Sequence, residues 1–175
     1  MQASPFESDA PLGTPRAIIR RNPDDAQEVE MVHAGWGLQP WEVHGGKPFK
    51  FIRSEGRTFP THRCLIPASE FEVKNGDRRF RVSLDDGNFF YLAGIWRPAN
   101  PDWPLSFAVV TIGANPDVFH YQERQGAVLL RRRNMDWLDA RLPDTELLQP
   151  LPPRSFRIEE IAPRAPRPVQ AELTF

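Results

Sequence analysis

Cysteine is almost absent: one residue, Cys64, in a chain of 175. That excludes an internal disulfide and fits a reducing compartment. Lysine is scarce too, with three residues among 22 cations, so the positive charge is carried by arginine. No run of apolar residues is long enough to cross a membrane as a helix, and the first twenty residues hold no apolar core of a secretory leader. The sequence therefore predicts a soluble, cytoplasmic protein. A net charge of −1 supplies no global attraction to nucleic acid or to membranes. Metal-ligand spacing is missing: His33, His44, His62 and His120 are scattered, and His62-x-Cys64 alone is a pair rather than a site. There is no glycine-rich phosphate loop and no Gly-x-Ser-x-Gly elbow, so no metal and no cofactor is implied.

Proline is abundant, at 19 residues, which argues against long helices and for many stiff connections. Apolar residues at 40% and charged residues at 26% are ordinary globular values, and the length suits one domain with a real core. Ala17–Ile19 and Glu28–Val32 flank Asn22-Pro23-Asp24-Asp25 and read as a hairpin. Cys64-Leu65-Ile66, closed by Pro67, reads as a buried strand. Lys74-Asn75-Gly76-Asp77 is a second hairpin turn, followed by the alternating strand Phe80–Leu84. Phe89–Trp96 and Phe107–Ile112 are apolar enough to be central strands, and Phe156–Ile161 is a last one. Asn134 can cap a short helix that runs through Trp137-Leu138 to Leu142 and is stopped by Pro143, with at most one more helical turn at 144–148. The fold class expected is α+β: one β-dominated domain with a mostly antiparallel curved sheet, partly closed as a barrel. Residues 1–16 form a loop segment, 17–161 the domain and 162–175 a Pro/Arg tail.

The candidates for chemistry cluster near strand ends: Arg53, Glu55, Arg57, Glu72 and the run Gln122-Glu123-Arg124. The planar fork of arginine binds two phosphate oxygens at once, so a local arginine patch would suit phosphate despite the neutral total. Trp36 and Trp41, bracketed by glycine and proline, make a rigid aromatic corner, readable either as a core plug or as a stacking platform for bases. Cys64, among apolar neighbours, reads as a buried structural residue rather than a nucleophile.

Six stretches in order carry a resemblance: Trp-Gly-Leu-Gln-Pro at 36–40, Arg-Ser-Glu-Gly-Arg at 53–57, Arg-Cys-Leu-Ile-Pro-Ala at 63–68, Ala-Gly-Ile-Trp-Arg at 93–97, Thr-x-x-x-Asn-Pro-Asp-Val at 111–118 and Met-Asp-Trp-Leu at 135–138. Together they resemble the SOS-response-associated peptidase (SRAP) family, whose members shield abasic sites in single-stranded DNA. The resemblance implies a curved, barrel-like sheet with a groove for single-stranded DNA. It also implies a cysteine after the initiator Met whose amine and thiol close on the abasic aldehyde as a thiazolidine. Carried over by position, the family's Asn-x-Arg places its Arg at Arg53 and its Asn at Phe51, and its Glu is best matched by Glu72. The His of the His-Asp-Arg motif falls on Gln122, and the cysteine position holds Gln2. A thiazolidine needs an amine and a thiol on adjacent carbons, which Gln2 cannot supply, and Gln122 cannot shuttle a proton as His does. The expectation is thus a diverged member that keeps the fold and the groove. Arg53, Arg57 and Arg124 would meet phosphates of single-stranded DNA, with or without an abasic site, and Trp36 and Trp41 would stack bases. Two alternatives stay open: an upstream segment of the gene product carries the missing cysteine, or the groove is vestigial and the chain is an interaction module.

Overall fold

The computed structural model describes residues 3–40 and 46–162, so Gln2, Trp41 and the tail from residue 163 onward lie outside the described residues. The N-terminal hairpin forms where the turn residues place it, with β1 at Pro15–Asn22 and β2 at Asp25–Trp36. The Asn22 side chain accepts from the Asp24 N–H at 2.9 Å, which closes the turn locally. β3 (Phe51–Arg53), β4 (Arg63–Ala68), β7 (Phe90–Arg97) and β8 (Ser106–Gly113) join this hairpin in a large mixed sheet. Two short strands, β9 (Arg124–Gly126) and β10 (Val128–Leu129), pair with β8 and β7.

The pairings β7–β4–β1–β2–β8–β7 return to their start and make a ring of five strands. Among the described residues two contacts in this sheet are parallel, β2 with β8 and β3 with β8, and the other pairings are antiparallel, as the sequence suggested. The β2–β8 contact is the one that closes the ring. A second sheet, ordered β11 (Phe156–Ile161), β6 (Arg78–Leu84), β5 (Phe71–Asn75), is antiparallel throughout.

β4 and β7 are buried almost end to end because both of their faces are covered. On one face Cys64, Ile66, Phe90 and Leu92 pack with Phe71, Phe80 and Val82 of the second sheet. On the other, Leu65, Ala93 and Ile95 pack with Trp137 and Leu147 of the short helices α2 (Asn134–Leu138) and α3 (Asp144–Leu147). Gly94 lies where β4, β7 and β8 crowd together: a Cβ there would stand 2.5 Å from Ile66 Cδ1, 2.9 Å from Cys64 Sγ and 3.0 Å from the Ala108 carbonyl oxygen. Only glycine fits that approach without displacement.

Buried Arg63 ties this layer together. It donates to the carbonyls of Phe59 (2.7 Å) and Trp137 (3.2 Å), forms an ion pair with Asp144, and lies over the Trp137 ring.

Helix α2 is shorter than its sequence suggested, and Asn134 is its first residue rather than its cap. Ala140 turns into the left-handed region at φ 50°, and Arg141 N–H closes back on the Asp136 carbonyl at 3.0 Å. That ending resembles a Schellman turn with alanine in the place usually held by glycine, and it stops the helix four residues before the expected Leu142. The stretch after β8 forms a four-residue helix, α1 (Pro116–Phe119). The Asn115 side chain caps it by accepting from Asp117 and Val118 N–H.

Candidate functional site

Alternation along β3 sets the floor of the site. Ile52 turns into the core and is 3% exposed, so Phe51 and Arg53 project together on the opposite face. Their partners on β8 are Val109 and Thr111, and β9 continues beyond β8 with Arg124 paired to Gly113. The second sheet contributes Phe71, Glu72 and Lys74 from β5. The N-terminal segment supplies the last wall: Phe6 bridges to Phe71, and its N–H donates to the Glu70 carbonyl at 2.8 Å. Arg16 anchors that segment by donating to the carbonyls of Ser4 (3.0 Å), Pro5 (2.7 Å) and Pro67 (2.8 Å). These elements enclose an open cleft of about 700 Å3.

Most charges around the cleft are already paired. Arg124 grips Glu55 with both fork nitrogens, at 2.8 and 2.9 Å, and also donates to the carbonyl and hydroxyl oxygens of Thr111 at 2.8 and 3.1 Å. The hydrogen bond from Arg124 holds the Glu55 carboxyl below its ordinary value, so the pair is charged at neutral pH. Glu72 accepts from Arg79 at 2.6 Å, a bond that raises the Arg79 guanidinium above its ordinary value. Lys74 stands 3.8 Å from Asp9. Gln122 donates to the Arg124 carbonyl at 2.7 Å and so helps fix the β9 backbone. Arg53 differs: it is exposed, and no hydrogen bond or ion pair reaches its side chain among the described residues.

Six of the residues singled out by sequence therefore meet in one cleft: Phe51, Arg53, Glu72, Gln122, Glu123 and Arg124. Arg57 does not join them. It lines a neighbouring groove of about 590 Å3 that also takes in Glu55 and Asp144, so the Arg124–Glu55 bridge stands between the two depressions. Trp36 is not an open stacking surface. Its ring is 2% exposed, packed edge-on by Phe6 and Phe51, with its Nε1 donating to the Lys50 carbonyl at 2.9 Å. The core-plug reading describes it. Trp41 and Gln2 lie outside the described residues. Cys64 is fully buried, and burial pushes its thiol far above the ordinary value, which leaves it inert. Among the described residues no three His, Cys, Asp or Glu side chains converge as a metal site.

Two features escaped the sequence reading. Phe51, taken as a lost polar position, is an aromatic ring 38% exposed inside the cleft, and the 51–53 alternation around Ile52 was the signal for it. Glu55 was read as one charge in a set, whereas it is the partner of Arg124 across a separation of 69 residues.

The class of protein is thus a β-dominated domain with a ring of strands and a lateral cleft in which, among the described residues, Arg53 stands open. The match to the model for "SOS response associated peptidase (SRAP)" over residues 10–165 places it more closely: the chain belongs to the SRAP family. Solved structures share its fold. A protein from Bordetella bronchiseptica is similar at 22% identity and a TM-score of 0.69, over 90% of this chain and 91% of its own. One from Bacteroides thetaiotaomicron has 19% identity and a TM-score of 0.66, over 86% of this chain and 75% of that one. A phage-related protein from B. bronchiseptica has 22% identity and a TM-score of 0.65, covering 87% and 80%. No curated protein matches the chain. Among the described residues no helix is long and apolar enough to cross a membrane.

Proposed function

We propose that this SRAP-family chain binds single-stranded DNA in the cleft through Arg53, and that the chain as it stands does not run the family's cysteine-dependent abasic-site reaction. The observation that carries the first part is Arg53 itself, a guanidinium held open beside an aromatic ring in a concave site. The second part rests on the side chains at hand. The sole thiol is sealed in the core, Gln122 has no proton to exchange near neutral pH, and Glu72 is engaged by Arg79. Arg57 in the adjoining groove extends the track for a second phosphate, and Arg124 offers a third when it lets go of Glu55.

Fluorescence anisotropy with a short single-stranded oligonucleotide tests this. Two or three phosphate contacts give a log–log salt slope of roughly −1.4 to −2.1, at about −0.7 per contact. Affinity that stays flat from low to moderate salt would sink the reading. Arg53→Ala is expected to weaken binding about tenfold, the loss of one charge-assisted contact. On a denaturing gel, a strand carrying an abasic site should run free of protein; a band that survives denaturation would show that covalent chemistry persists.

Glu55 competes with DNA for Arg124, because its carboxylate fills the fork that a phosphate would use. Glu55→Gln is therefore expected to tighten strand binding by about two- to fivefold, the scale of one exposed ion pair. The gain should vanish in the double variant with Arg124→Ala. Because the Glu55 carboxyl is held low, the competing pair is present at neutral pH and is lost only as pH falls through that lowered value.

A second reading, an interaction module, draws on the outer edge of β2, which pairs with β8 only at Gly35 and Trp36 and exposes Val29 and Met31. A stable dimer on sizing together with no DNA affinity would favour it.

A further inference from the structure

Resting on the strand-binding reading, we infer that the cleft holds an intact unpaired nucleotide, its base stacked on Phe51 and its phosphate on Arg53. The two side chains sit two residues apart on one face of β3, about 7 Å along the strand. That separation is comparable to the span between a base and the phosphate of the same nucleotide. A base lying flat on Phe51 thus brings its phosphate within reach of the open guanidinium.

The Phe51 ring is prepared for this. Trp36 meets it edge-on at 5.2 Å between centroids, which fixes its orientation, and the residue, 38% exposed, lines the cleft. An aromatic left partly in water inside a concavity has hydrophobic surface still to bury, and a nucleobase is a flat partner of matching size. The rest of the wall agrees: Phe6, Phe71, Leu92 and Val109 make the interior apolar. At about 700 Å3 the cleft falls in the range of small-molecule sites, ample for a base and sugar. A bare abasic sugar is small and polar, and it would leave that apolar wall wet. A phenylalanine on this floor therefore selects for the base, where the lesion has lost it.

The test compares oligothymidylate with a strand of the same length built from tetrahydrofuran abasic analogues, so that phosphate number and charge are equal. The intact strand is expected to bind about tenfold tighter. Phe51→Ala should erase the gap, and Phe51→Tyr should keep it. Because Phe51 is partly exposed, neither change should unfold the chain, and thermal melting checks this. Arg53→Ala should weaken both strands alike. Equal affinity for the two strands with a steep salt slope would overturn base recognition while leaving strand binding intact. Tighter binding of the abasic strand would overturn it too. Failure of both strands to bind would remove the strand-binding reading together with this one. If thymidine monophosphate binds and the oligonucleotide does not, the occupant is a free nucleotide and the inference as stated fails.

Discussion

Trp137→Ala is expected to destabilise the protein by about 4 kcal/mol, the largest effect of any single truncation considered. The indole is completely buried, its Nε1 donates to the Cys64 carbonyl at 2.9 Å, and its ring carries the Arg63 guanidinium at 4.2 Å and Phe59 at 6.0 Å. Truncation removes the apolar contact, opens a cavity between β4 and α2, and leaves Arg63 without its aromatic face. Trp137→Phe separates these contributions. It keeps most of the volume and forfeits the hydrogen bond, for a loss nearer 1 kcal/mol before any packing defect. Urea denaturation followed by fluorescence of the remaining tryptophans measures both. A loss under 1 kcal/mol for the alanine variant at unchanged m-value would show that the layer re-collapses around the gap.

Asp144→Ala follows, at about 3 kcal/mol. Arg63 has a side chain 6% exposed and Asp144 one 20% exposed, so removal of the acid strands a guanidinium away from water. In a chain of this size that corresponds to a fall in Tm of roughly 6–12 °C. The matched double change, Arg63→Met with Asp144→Leu, should recover most of the loss, because it removes both charges instead of orphaning one. Should the double variant melt as low as Asp144→Ala, the cost lies in the Phe59 and Trp137 carbonyls that Arg63 also serves.

Much of the strand order was readable because the signals are local. The Asn22-Pro23-Asp24 turn, the Asn75-Gly76 turn and the apolar runs of β7 and β8 each declare themselves within a few residues. The closing parallel contact between Gly35 and Ser106 has no such local mark. Nor does the left-handed turn at Ala140, since alanine rarely takes that conformation and nothing near it warns of it. At the candidate site, the resemblance pointed to Arg53, Glu72, Gln122 and Arg124, and the structure places all four along one cleft. It could not reveal that Trp36 faces inward while Phe51 faces the cleft. That choice depends on how β2, β3 and the N-terminal segment pack together, which no short window of sequence encodes.

The ring of strands has a consequence for how the chain is made. Its closing contact joins residues about seventy positions apart, so the loop-closure entropy falls due before the contact can repay it. During synthesis the β1–β2 hairpin emerges early and must wait for β8, with Trp36 and Ala34 still unburied. A nascent chain halted before β8 would present that apolar edge to any chaperone or neighbour at hand, and refolding in the test tube should be slow and sensitive to protein concentration.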